Sequence, residues 1–139
     1  MISVELAEAL KAAGLAWRPV TGDRFTLQTG AFDGEVFTLS EMVVEAQESR
    51  TGTVLGFNGT TEWALDATEA SQALWLPRED QLRTLLGTSF RSLDRIAQGY
   101  RVTSVLPGDP LAEPGAYWGS DAAEAYARAL LALIRRATG

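Results

Sequence analysis

Cysteine and histidine are both absent from this chain of 139 residues, and Lys11 is its single lysine. Without cysteine the sequence excludes disulfides, thiol nucleophiles and structural zinc sites built from Cys and His. Without histidine it excludes a Ser-His-Asp triad and the usual general base. Any acid–base chemistry falls to carboxylates, tyrosines or Lys11. Our expectation therefore leans away from an enzyme, with no catalytic residues and no bound cofactor.

Long apolar runs and an excess of basic residues are also missing. No run reaches the roughly 20 apolar residues of a membrane-spanning helix, and the start of the chain lacks the basic and apolar segments of a secretory signal. We therefore expect a cytoplasmic protein with no membrane partner. The net charge of −6 should repel a phosphate backbone, so we expect no nucleic-acid partner. The length suits a single domain over residues 1–139.

Three segments have the apolar spacing of helices. Ser3 can cap an N-terminal helix that ends at Gly14. A central helix over 77–86 begins with proline, which suits the first helical position. Asp121 and Glu124 are spaced as a capping box at the start of a C-terminal helix.

Between these helices, alternating and β-branched residues predict strands. The strongest local signal is Asn58-Gly59, which suits a two-residue type I′ hairpin turn. The predicted strands are 24–28, 35–39, 42–46, 53–57, 60–65, 90–96 and 100–106, and a loop rich in Pro and Gly follows the last of them. Of these, 42–46 could also be a helix, and its β-branched residues favour the strand. The order predicts an α+β fold, in which the N-terminal, central and C-terminal helices pack on an antiparallel meander sheet.

Carboxylates in the middle of the chain offer the main alternative to a binding protein. Glu62, Asp66, Glu69, Glu79 and Asp80 have the ligand type that Mg²⁺ and Ca²⁺ prefer. If they converge, they would support a metal-dependent hydrolase of a phosphorylated small molecule. The sequence leaves that convergence open, and we predict no metal site, because acids in a first helical turn or on the solvent side of a strand have a simpler explanation.

The chain has four tryptophans, which is many for its length. Trp118 lies beside prolines and glycines and is the best candidate for an exposed aromatic residue. Together with Tyr117, Trp63 and Trp75 it is our candidate for a ligand or partner surface, since tryptophan is frequent at binding hot spots. The alternative is that these side chains complete the core.

The C-terminal helix has apolar residues on two sides. Besides its main stripe, it carries Ala122, Ala125, Ala129 and Ala132. This second side can pack on another subunit and form a homodimer, or it can be covered within the monomer. The sequence leaves both alternatives open.

The run Gly56–Asp66 (GFNGTTEWALD), followed by Leu74–Leu82 (LWLPREDQL), resembles a group of short, uncharacterised bacterial proteins. The similarity covers most of the chain. It implies a bacterial protein but no particular activity. Because the chain lacks His and Cys but has four tryptophans and an alanine-rich C-terminal helix, we expect a non-catalytic accessory, regulatory or adaptor module that binds another protein or itself. The alternatives are the metal-dependent hydrolase and an immunity-type protein.

Overall fold

The computed structural model describes residues 1–28, 35–39, 73–108 and 111–138. Within these ranges the helices are α1 (Val4–Ala13), α2 (Glu79–Leu86) and α3 (Ala122–Thr138). The strands are β1 (Arg24–Leu27), β2 (Val36–Thr38), β3 (Ala73–Trp75), β4 (Phe90–Ile96), β5 (Gly99–Ser104) and β6 (Gly115–Gly119).

The chain divides into two compact units. We call Met1–Ala16 with Pro77–Gly139 the discontinuous unit, and Trp17–Leu76 the continuous unit. Charge is distributed unequally between them. The discontinuous unit has nine acidic and nine basic residues, whereas the continuous unit has nine acidic and three basic residues, so it carries the whole net charge of −6. The expectation of one domain over 1–139 stays a prediction.

In the continuous unit, β1 lies between β2 and β3, and both pairings are antiparallel. Phe25 on β1 pairs with Phe37 on one side and Trp75 on the other. Its ring lies 5.4 Å from that of Trp17 and 5.6 Å from that of Phe37. The buried cluster consists of Phe25, Leu27, Leu39 and Ala73. Aromatic packing on both sides of β1 is therefore the core of this unit.

Asp23, the residue before β1, holds the start of this strand in place through several hydrogen bonds. Its carboxylate is fully buried and accepts hydrogen bonds from Trp17 Nε1 at 2.8 Å and from the Val20 amide at 3.0 Å. Its backbone carbonyl accepts from the Leu39 amide at 2.8 Å. A buried carboxylate is costly unless donors surround it. Asp23 and Trp17 therefore fix each other's position at the edge of the aromatic core.

In the discontinuous unit, α3 is the central element. It contacts β5 and β6 of the antiparallel sheet β4–β5–β6, and it also contacts α1 and α2. Its buried residues are Ala122, Ala123, Ala125, Tyr126, Ala127, Ala129, Leu130 and Leu131. They come from both apolar sides that the sequence shows. The first ten residues of the helix are therefore surrounded almost entirely by their own chain.

The ends of the helices follow the sequence closely. Ser3 caps α1 by accepting from the Leu6 amide at 3.1 Å, and Gly14 ends it with φ +117°. Asp121 caps α3 by accepting from the Glu124 amide at 2.8 Å. The Glu124 carboxylate accepts from the amide and hydroxyl of Ser120, one residue earlier than in a standard capping box. These predictions of where α1 and α3 begin are confirmed.

The start of α2 differs from the prediction. The helix begins at Glu79 with Arg78 as its cap residue, so Pro77 precedes the helix instead of occupying its first position. Gln81 reaches back to accept from the Arg78 amide at 2.9 Å. The end at Gly87 is as predicted.

The α+β class is confirmed, but the described strands form two three-stranded sheets instead of one meander. Four predicted strands, 24–28, 35–39, 90–96 and 100–106, match β1, β2, β4 and β5 to within two residues at each end. The strands β3 and β6 were not predicted. The predicted strands 42–46, 53–57 and 60–65, with the Asn58-Gly59 turn, lie outside the described residues.

Gly99 allows β5 to approach β6. It has φ +142°, and a Cβ placed on it would overlap the backbone carbonyl oxygen of Gly119. Gly14 also has a positive φ, but a Cβ there would meet nothing within 4 Å. Comparing a substitution at Gly14 with one at Gly99 therefore distinguishes the cost of backbone strain from the cost of a steric clash.

We expect Gly99→Ala to lower the free energy of unfolding by about 3 kcal/mol or more, because strain and clash add. Gly14→Ala should lower it by only about 1 kcal/mol, the cost of strain alone. Urea denaturation monitored by circular dichroism measures both. Equal losses for the two variants would contradict the close approach of β5 and β6.

The cap of α3 should depend on pH. Hydrogen bonds from the Ser120 hydroxyl and amide lower the pKa of Glu124 below its ordinary value of 4.5. A carboxylate whose pKa is lowered by folding stabilises the fold at pH values above its ordinary pKa. This stabilisation is lost as the pH falls through the pKa of the folded state. Glu124→Gln should therefore cost about 1 kcal/mol at pH 7 and progressively less below about pH 4. As a control, Glu5→Gln, at an exposed position of α1, should cost at most about 0.5 kcal/mol at pH 7.

Candidate functional site

The register of β4–β5–β6 decides which residues share a face. Val102 on β5 is fully buried, and it pairs with Leu93 on β4 and Tyr117 on β6. Successive side chains of a strand point to opposite faces. Because α3 packs against β5 and β6, Val102 and its partners lie on the face covered by the helix, and the residues next to them lie on the opposite face.

We call that opposite face the outer sheet face. It contains two rows of directly paired residues, namely Asp94–Arg101–Trp118 and Ser92–Thr103–Ala116. Antiparallel sheets often have one face packed on the core and the other in contact with water. An arginine and a tryptophan in adjacent positions are nevertheless unusual for a merely solvated face, since large aromatic side chains are mostly buried.

Trp118 is exposed although its backbone is well fixed. Its side chain retains 52% of its accessible surface. Its carbonyl oxygen accepts a hydrogen bond of 2.7 Å from Arg128 Nη1 on α3, and Arg128 also forms an ion pair with Glu124. The indole therefore projects from a rigid strand, so less conformational entropy is lost when a partner binds to it.

Arg101 lies between Trp118 and Asp94 in the first row. Its Nη2 is 3.3 Å from Asp94 Oδ2, and both side chains are more than two-fifths exposed. Asp94 also accepts from the Ser92 hydroxyl at 3.2 Å. An exposed pair of this kind contributes only about 0–1 kcal/mol. The pair thus holds the guanidinium on the outer sheet face more than it stabilises the fold.

The tryptophans and the tyrosine of the predicted surface do not lie together. Trp118 is exposed, but it lies on β6 and not in a loop. Tyr117 is on the opposite face of the same strand, as the partner of Val102. Trp75 is half-buried in the continuous unit, where it stacks on Trp17 with ring centroids 6.5 Å apart; its Nε1 is buried with no partner among the described residues. Trp63 lies outside the described residues.

The carboxylates of the hydrolase alternative give no support for a metal centre in the described part of the chain. Glu79 and Asp80 lie in the first turn of α2, where they are favourable near the positive end of the helix dipole. The Arg78 side chain, 3.0 Å away, lowers the pKa of Asp80. No group of three potential ligands exists within the described ranges. Glu62, Asp66 and Glu69 lie outside them.

The alanine side of the C-terminal helix is not a free surface. Ala122, Ala125 and Ala129 retain 9% or less of their accessible surface, and Ala132 is half-buried. Among the sequence alternatives, this favours a helix covered within its own chain over one that packs on a second subunit. The homodimer through the C-terminal helix stays a prediction. Over the same described ranges, no helix has the length and apolarity that crossing a bilayer requires.

Arg101 and Asp94 were not among the candidate residues of the sequence. The alternation in β5 contained the signal, because it places Arg101 and Thr103 on the face opposite Val102. The missing step was β6. Because the strand β6 was not predicted, the cross-strand partners of Trp118 could not be predicted either.

Comparison with known proteins finds no family model, curated protein or solved structure that matches this chain. The resemblance to short bacterial proteins therefore stays a prediction. The outer sheet face, as an exposed Trp–Arg pair on a rigid sheet, is the candidate site on geometric grounds.

If Trp118 serves binding and not folding, removing its side chain should hardly change stability. We expect Trp118→Ala to alter the free energy of unfolding by at most about 0.5 kcal/mol. Trp17→Ala should cost about 3 kcal/mol, because it removes core packing and the hydrogen bond to Asp23. Urea denaturation of both variants gives the comparison. A loss above about 2 kcal/mol for Trp118→Ala would assign this residue a structural role.

Proposed function

We propose that this chain is a cytoplasmic, non-catalytic binding module, and that its outer sheet face docks an acidic surface of a partner protein. The observation that carries the proposal is the exposed pair Trp118 and Arg101 in adjacent register positions on a rigid sheet. Tryptophan and arginine are the residue types most enriched among interface residues with large energetic effects.

Charge favours an acidic partner. The outer sheet face carries the basic residue Arg101 and the acidic residue Asp94, and the basic Arg91 lies in the bulge before Ser92. Arg91 is exposed, whereas Arg95 pairs with Tyr100 and belongs to the other face of the sheet. A carboxylate of the partner can compete with Asp94 for the Arg101 guanidinium, because that pair is long and exposed. Opposite charges across the interface also raise the rate of association.

The size of the face sets the expected affinity. Two inter-strand spacings make it about 10 Å wide, and five residues make it about 17 Å long. That is well below the roughly 800 Å² per partner of a stable complex. We therefore infer a transient interface in the micromolar range, in which Trp118 supplies most of the contact.

The interface can be located by photo-crosslinking. A photoreactive phenylalanine analogue replaces Thr103 on the outer sheet face or, as a control, the 89% exposed Leu111 outside it. We expect a single bacterial protein, identified after crosslinking, to react with the analogue at position 103 and not with the analogue at position 111. Crosslinking that is equal from both positions, or absent from position 103, would contradict docking on this face.

The same partner, once purified, tests the chemistry of the interface. Trp118→Ala should weaken its binding at least about thirtyfold, as expected for a residue worth about 2 kcal/mol. Arg101→Gln should also weaken binding. Asp94→Asn should strengthen it, because the competing carboxylate is removed, and added salt should weaken it. Isothermal titration calorimetry measures all three variants. Unchanged affinity for Trp118→Ala, or weaker binding for Asp94→Asn, would overturn the proposal.

A further inference from the structure

A small cleft lies on the side of the sheet that faces α3, between the ends of β5 and β6 and the last turns of that helix. Its cavity volume is about 40 Å³. Ser104 and Gly115 are cross-strand partners, and Ala132 lines the cleft from the helix. Because small residues face one another here, no side chain fills the space between sheet and helix.

Gly115 also determines where Tyr117 lies. A Cβ at Gly115 would be 2.8 Å from the Tyr117 hydroxyl oxygen and 3.0 Å from a ring carbon. The phenol therefore lies directly over the glycine, where it lines the cleft. A side chain at position 115 would force the ring to move. The cleft thus depends on glycine at this position.

The hydroxyls of the cleft lack partners. Ser104 retains only 9% of its accessible surface and lines the cleft. Within the described ranges, neither its hydroxyl nor that of Tyr117 makes a hydrogen bond. The Ser104 hydroxyl oxygen keeps access to solvent through the cleft, and Tyr117 is half-buried. Both hydroxyls are therefore available to a group that binds in the cleft.

Two opposite charges line the same cleft without pairing. Arg136 on α3 and Glu113 before β6 are both lining residues, and neither forms an ion pair within the described part of the chain. Both side chains are exposed. A cation and an anion that stay apart in one cleft complement a ligand that carries both charges.

We propose that this cleft binds the head group of a small free α-amino acid. The carboxylate of the ligand accepts hydrogen bonds from Arg136 and from the Ser104 and Tyr117 hydroxyls, and its ammonium group donates to Glu113. Guanidinium and hydroxyl groups together are strong donors for a carboxylate. Leu106 and Leu133, which also line the cleft, favour an aliphatic side chain on the ligand.

The volume limits the ligand to a small molecule. A bound water needs roughly 10–15 Å³ on this measure, so the cleft has room for about three waters or for a group of similar size. This fits the head group of an amino acid and excludes a nucleotide or a larger cofactor. The site lies on the opposite side of the sheet from the outer sheet face, so the proposal is independent of the proposed function.

Nuclear magnetic resonance titration with L-alanine as the probe tests this site on the full chain. We expect saturable shifts of the Ser104, Tyr117 and Arg136 amides, with a dissociation constant in the millimolar range. Acetate and methylammonium, which each carry one of the two charges, should bind at least tenfold more weakly. Absence of saturable shifts with L-alanine, or equal affinity for acetate, would overturn the proposal.

Adjacent arginines supply a matched control. Arg136→Gln should weaken L-alanine binding at least tenfold, whereas Arg135→Gln, on the same exposed turn but outside the cleft, should leave it unchanged. Glu113→Gln should weaken it similarly, and the urea midpoints of all three variants should match that of the unmodified chain. Equal affinities for the two arginine variants would contradict the assignment. Trp118→Ala should leave L-alanine binding intact, which separates this test from that of the protein partner.

Discussion

Alanines at positions 125, 127 and 129 allow α3 to pack closely on several elements at once. Each retains 1% or less of its accessible surface, and the helix contacts β5, β6, α1 and α2. Small side chains permit short distances between helix and sheet, so this one element determines where the others of the discontinuous unit lie. The Arg128 hydrogen bond to the Trp118 carbonyl extends that control to the edge strand. The positions of both candidate binding regions therefore depend on α3.

Strand alternation separates those two regions. Tyr117 and Trp118 are adjacent in sequence, yet they lie on opposite faces of β6. The outer sheet face presents an indole and a guanidinium to solvent, which suits contact with another macromolecule. The side facing α3 contains a small cleft that is lined by polar groups, which suits a small molecule. One short strand thus contributes to both proposed binding regions, which share no side chain.

Local signals in the sequence were sufficient where local chemistry decides the structure. The Ser3 and Asp121 caps and the Gly14 and Gly87 ends depend on a few neighbouring residues, and all are present. The strand β6 was not predicted, because Gly115 and Gly119 weaken the strand signal and only pairing with β5 makes this segment a strand. The cleft was not predicted for the same reason. Ser104, Glu113 and Arg136 have no characteristic spacing and are brought together only by tertiary packing.

The discontinuous unit assembles from segments that are distant along the chain. Helix α1 packs against α3, although on the order of a hundred residues separate them. During synthesis, α1 leaves the ribosome long before its partner helix exists. Until then its apolar side is exposed to water or bound by a chaperone. The continuous unit has no such delay. Closing so long a loop also slows folding, since the entropy of closure is lost before the contacts form. In this chain, the strands β1, β2 and β3 are therefore all synthesised before α3, the partner of α1, exists.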